Sequence, residues 1–104
     1  MLYYKLVRDK IPEIIEKSGK RPLTEILSDD DYKLYLERKL NEEVKEYQES
    51  KELEELADIL EVIVALVKTK GYDFQDLLDL QARKATEKGC FSKKILLKAV
   101  CEEC

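Results

Sequence analysis

From Leu36 onward, apolar residues recur at helical spacing. With Leu36 as the origin of a helical wheel, Leu40, Val44 and Tyr47 fall on one stripe. Ser28-Asp29-Asp30-Asp31 supplies a capping side chain and acids in a first turn, so a long helix is expected from there to about Glu49. Glu37, Arg38 and Lys39 fall mostly on its solvent side. A second helix is expected from Ser50, read as its N-cap, to Thr69 or Lys70, stopped by Gly71. It has two apolar faces, one of Leu53, Leu56, Leu60, Ile63, Val64 and Val67, the other of Ile59, Val62 and Leu66. A helix apolar on two sides is expected to be a buried central one. Asp73 opens a third long helix with Phe74, Leu77, Leu78, Gln81 and Ala85 on one face, ended by Gly89.

The flanks are less regular. Leu2 to Val7 alternates apolar and polar residues, as an extended arm would. Asp9 is placed to cap a short helix that tolerates Pro12 in its first turn and ends before Gly19. Lys20 to Asp30 reads as a loop broken by Pro22, with Thr24 to Leu27 forming one helical turn or a brief strand. Phe91 to Val100 has an apolar centre, Ile95-Leu96-Leu97, expected to pack across a neighbour.

Composition narrows the picture. With 104 residues the expectation is one domain over 1–104, and the 3 glycines and 2 prolines are few for a strand-and-turn architecture. The chain therefore reads as all-α. Two apolar faces on one helix are easier to bury in a homo-oligomer than in so small a monomer. The formal net charge is -4, from 19 basic and 23 acidic residues, which argues against duplex nucleic acid as a partner. Met1 to Lys5 lacks the apolar run of a signal peptide, and Val62 to Val67 is too short to span a bilayer, so no membrane partner and a cytoplasmic location are expected. Cys101-x-x-Cys104 offers half a zinc site without a clear four-ligand set, and with Cys90 the thiols read as incidental.

The acids raise the chemical question. Glu43 and Glu46 are spaced i, i+3, as are Glu55 and Asp58, so each pair projects from one side of its helix. A turn centred between Ser50 and Lys51 would bring Glu46 level with Glu55 and Glu43 level with Asp58. Two carboxylates ~4 Å apart repel by roughly 4 kcal/mol at an effective dielectric of ~20, so such a gathering needs positive charge. Hard divalent cations such as Mg²⁺ take oxygen ligands and recruit phosphates. On the wheel Glu43 falls inside the apolar stripe, Glu46 at its edge, and Glu42 well away. A metal or substrate site and a salt-bridged structural cluster are both compatible with this spacing. Arg8 and Lys10, and Lys84 and Lys88 at i, i+4, are either surface charge or contacts for an anionic ligand.

Three segments in order carry a family resemblance. Glu42-Glu43-x-x-Glu46 followed by Glu55-x-x-Asp58 resembles the E-E-x-x-E … E-x-x-D signature of the all-α nucleoside triphosphate pyrophosphohydrolases, which include MazG proteins, dimeric dUTPases and phosphoribosyl-ATP pyrophosphohydrolases. Tyr4-Lys5-Leu6-Val7-Arg8-Asp9-Lys10-Ile11-Pro12 is similar to the opening of a small MazG-like, phosphoribosyl-ATP pyrophosphohydrolase-like subgroup. Lys88-Gly89-Cys90-Phe91 followed by Ile95 and Leu97 is similar to its R-G-G-F-x-x-x-I-x-L segment, with Lys88 in place of Arg and Cys90 in place of the second Gly.

The resemblance implies an all-α antiparallel helical bundle completed by oligomerisation, as a homodimer or a dimer of dimers. It implies Mg²⁺, with Mn²⁺ able to substitute, held by Glu43, Glu46, Glu55 and Asp58. The implied reaction cleaves the α-β phosphoanhydride of a nucleotide substrate to monophosphate and pyrophosphate. With no histidine in the chain, the proton acceptor falls to a carboxylate, Glu46 or Glu55. Arg8, Lys10, Lys84 and Lys88 are the expected polyphosphate contacts. A hydrolase specific for phosphoribosyl-ATP and a non-catalytic helical interaction module are the alternatives.

Overall fold

The computed structural model describes residues 4–102. Among these are four helices and no strand: α1 (Ile11–Lys17), α2 (Asp29–Ser50), α3 (Leu53–Thr69) and α4 (Phe74–Lys88). The all-α reading therefore holds. The chain divides into two compact units, one through Tyr72 and one from Asp73.

In the first unit, α2 begins as its sequence dictates. Ser28 has extended backbone and its Oγ accepts a hydrogen bond from the Asp31 N–H at 3.2 Å. Asp29, Asp30 and Asp31 then place negative charge where the helix dipole is positive. The far end departs from expectation. Ser50 is the last residue of α2, not the N-cap of α3. Lys51 turns the chain in left-handed conformation at φ 59°, its N–H donating to the Tyr47 carbonyl, and Glu52 takes the N-cap position of α3. The Ser50 hydroxyl accepts from the Glu52 N–H at 3.2 Å, so it caps the turn from the preceding helix.

A connection this short folds α3 back along α2 as an antiparallel hairpin, and these two helices pack on each other. Leu36 and Val62 form the buried centre of the seam, 2% and 7% exposed. Leu40, Val44 and Tyr47 from α2 and Ile59 and Leu66 from α3 are half-buried around them. The apolar face that meets α2 is thus the one with Ile59, Val62 and Leu66. The opposite face is not the buried surface of a central helix, because α2 covers one side only. Leu53, Leu56 and Leu60 are exposed there, while Ile63, Val64 and Val67 are half-buried. Gly71, at φ +84°, stops the segment after α3 in a conformation that costs glycine nothing.

Upstream, residues 4–8 have no regular structure, and Leu2 and Tyr3 of the expected arm lie outside the described residues. Asp9 does not cap α1. Lys10 holds the N-cap position without a side-chain cap, Pro12 sits in the first turn, and Gly19 follows the helix at φ +89° as expected. Thr24 to Leu27 is neither helix nor strand.

In the second unit, Asp73 and Asp76 form a reciprocal capping box at the start of α4, with hydrogen bonds of 3.1 and 3.0 Å. Phe74, Leu77 and Ala85 are its half-buried positions, and Gly89 ends it at φ +85°. The segment after Gly89 has no regular secondary structure. Phe91, Ile95, Leu96 and Leu97 are exposed, not packed across a neighbour as their pattern suggests. No described helix is long and apolar enough to cross a membrane.

Candidate functional site

The hairpin brings three of the four expected acids together. Glu43 from α2 and Glu55 and Asp58 from α3 each offer a carboxylate oxygen, and these oxygens lie within 4.8 Å of one another. The i, i+3 spacing puts Glu55 and Asp58 on the side of α3 that turns toward α2, at the head of the Ile59–Val62–Leu66 stripe. Glu43 comes from within the apolar stripe of α2 and is 6% exposed.

Glu46 stays outside that spacing. With the turn at Lys51 and Glu52, neither acid pair is equidistant from it, so side-chain reach decides which oxygens meet. Glu46 is half-buried one turn nearer the tip of the hairpin, and acts on Glu43 through its charge.

Two cations already serve the cluster. Arg8 Nη2 donates to Asp58 Oδ1 at 2.7 Å, crossing 50 residues of sequence. Lys39 lies 3.1 Å from Glu42 Oε2 and 3.3 Å from Glu43 Oε1, with its side chain only 16% exposed. Lys39 is therefore not a solvent-facing lysine. Its position at i, i+3 and i, i+4 from two acids was the sequence signal for this role. Glu42, on the flank, is half-buried and is also paired with Lys5 at 3.3 Å. Ser50 Oγ donates to Glu55 Oε1 at 3.4 Å, a contact that its reading as an N-cap did not anticipate.

Protonation follows from these environments. Burial pushes the Glu43 carboxyl above its ordinary value, Lys39 pulls it back, and the charges of Glu46 and Asp58 push it up again. Burial opposes the charge on Lys39, but Glu42 and Glu43 win and hold its pKa above the usual lysine value. Burial likewise opposes ionised Glu42, yet Lys39 and Lys5 hold it below the usual carboxylate value.

The remaining atom of the Glu43 carboxylate bears on a ligand. Oε1 is taken by Lys39, whereas Oε2 is buried with no hydrogen-bond partner among the described residues. A buried, unpartnered carboxylate oxygen carries a desolvation cost that a cation would offset. The donors are all carboxylate oxygens, the hard ligands Mg²⁺ takes, and the chemistry of the set fits that ion.

Among the expected phosphate contacts in the first unit, Arg8 is at the cluster. Lys10 is exposed at the start of α1, and its side chain forms no ion pair with the described residues. Lys84 and Lys88 are exposed on α4 in the second unit. Cys90 and Cys101 are free and exposed, and Cys104 lies outside the described residues.

The chain is similar to an uncharacterised protein of Mycolicibacterium smegmatis, 56% identical over 41 residues that make up 39% of this chain. The match spans 42% of that protein's length. No protein-family model and no solved structure matches the chain.

Proposed function

We propose that this chain is a Mg²⁺-dependent nucleotide pyrophosphohydrolase that cleaves an α-β phosphoanhydride to a monophosphate and pyrophosphate. The observation that carries the reading is the convergence of Glu43, Glu55 and Asp58 on one side of the α2–α3 hairpin, with the buried Glu43 Oε2 left unpartnered. The segment resemblance set out above supplies the substrate class. Glu43, Glu55 and Asp58 would hold the cation, with Glu46 as the fourth acid at its edge. Bound there, Mg²⁺ supplies positive charge at the phosphoryl oxygens and acidifies a water.

The chain's own residues account for the rest. Glu46 lies outside the triad and acts on Glu43 through its charge; it and Glu55 would be the candidates to accept the proton of the attacking water. The Ser50 hydroxyl holds Glu55 Oε1 and limits its rotation. Lys39 fixes Glu43 Oε1 and leaves Oε2 to the ligand. Arg8, Lys10, Lys84 and Lys88 are the proposed polyphosphate contacts, and a homodimer or dimer of dimers the proposed assembly. A phosphoribosyl-ATP substrate fits the same acids. The exposed Leu53, Leu56 and Leu60 favour a second reading, a helical interaction module whose acids only balance charge.

Product analysis separates these readings. The purified chain is offered a panel of nucleoside triphosphates, and phosphoribosyl-ATP beside them, with Mg²⁺ or with EDTA. Monophosphate plus pyrophosphate, formed only with metal and lost in Glu43→Gln and Asp58→Asn variants of unchanged helicity, is the expected result. Full activity in either variant would overturn the site, and turnover of no nucleotide at all would leave the interaction module.

A further inference from the structure

Arg8 is read above as a phosphate contact, yet its guanidinium sits on Asp58, one of the three acids that would hold the metal. The pair is the exchangeable one of the neighbourhood. Arg8 and Asp58 side chains are 54% and 39% exposed, whereas Lys39 is held by two carboxylates and largely buried. Ion pairs this exposed are weak. A divalent cation brings twice the charge of a guanidinium and approaches carboxylate oxygen at ~2.1 Å, closer than an N–H donor can.

Charge counting points the same way. Glu42, Glu43, Glu46, Glu55 and Asp58 face Lys5, Lys39 and Arg8, which leaves two negative charges. One Mg²⁺ neutralises them. With Arg8 still seated on Asp58, its guanidinium would be committed to a carboxylate and closed to a polyphosphate. Released from Asp58, the same guanidinium presents a planar fork of donors suited to phosphate oxygens.

We propose that Arg8 is a built-in counter-ion of the metal-free site, displaced from Asp58 when a divalent cation binds and thereby freed to take the anionic substrate. The proposal rests on the functional reading above and adds an order to it: cation first, anion second. Arg8 then opposes the metal and favours the anion. A residue that merely braced Asp58 would favour both.

The test is calorimetric titration of Mg²⁺ alone into the metal-free full chain, as wild type, Arg8→Gln and Arg8→Lys. Removing the competing charge should tighten Mg²⁺ binding by about two- to fivefold in R8Q, a margin that shrinks at high salt. R8K keeps the charge and should stay near wild type. Inorganic pyrophosphate, titrated with Mg²⁺ saturating, should bind R8Q more weakly than wild type. Equal or weaker Mg²⁺ binding by a folded R8Q overturns the counter-ion role while leaving the metal site standing. A wild-type chain that takes up no Mg²⁺ removes the functional reading itself.

Discussion

Lys39→Met in the metal-free chain is the sharpest test of the electrostatics. The Lys39 and Glu43 side chains are 16% and 8% exposed, and Lys39 is the cation that pairs with Glu43 among the described residues. Methionine keeps most of the stem's packing and removes the charge. Breaking a buried ion pair from one side typically costs about 3–5 kcal/mol, because a charge is left uncompensated. Here the cost has a ceiling. Glu43 can take up a proton instead, and neutralising a carboxyl of ordinary pKa about 4.3 at pH 7 costs about 3.7 kcal/mol. Burial already raises the Glu43 pKa in the folded state, which lowers that ceiling, so the variant should lose less than about 3.7 kcal/mol at pH 7.

The sign with pH follows from the direction of that shift. A carboxyl whose folded pKa lies above its unfolded value adds stability below the unfolded value and loses it as pH rises through the folded one. Without Lys39 the Glu43 shift grows, so K39M should recover most of its loss between pH 7 and about pH 4.5. The Glu42 carboxyl, held low by Lys39 and Lys5, works in the opposite direction and loses stability on acidification; K39M weakens that term too. The assay is urea denaturation in EDTA at both pH values for K39M, E43Q and the double variant. The double variant should unfold closer to wild type than K39M does. A K39M loss under about 0.5 kcal/mol at pH 7, within the range of an ordinary surface ion pair, would refute the argument.

Other expectations follow from the hairpin. Leu36→Ala, at a position 2% exposed, should cost about 2–5 kcal/mol of unfolding free energy, read from the urea midpoint. Lys51→Gly should stabilise the chain, since the turn holds this residue at φ 59°, where a side chain costs roughly 1 kcal/mol; a lower melting temperature would contradict that strain. On the proposed site, Mg²⁺ should raise the melting temperature of wild type but not of Asp58→Asn, because the folded triad alone would hold it.

The parts of the fold legible in the sequence are those fixed within one helical turn. Ser28, Asp73, Gly71 and Gly89 act where expected because a cap or a stop needs only its neighbours. Glu43 was legible as a buried acid because a 3.6-residue period fixes which residues share a stripe. The short connection between α2 and α3 was legible as well, but not which residues make it, since Ser50 has the chemistry of an N-cap while the turn uses Lys51 in a conformation usually given to glycine. Nor was the pairing of Arg8 with Asp58, whose partners lie 50 residues apart with two helices and an irregular loop between them. This division matters for function. Spacing names the acids that can meet, but a metal site and a salt-bridged cluster differ in how many cations meet them, and those cations come from residues 5, 8 and 39, on either side of an irregular loop. Had Lys39 reached both oxygens of Glu43, the same acidic pattern would read as structural; it reaches Oε1, and the unpartnered Oε2 is what tilts the cluster toward a ligand.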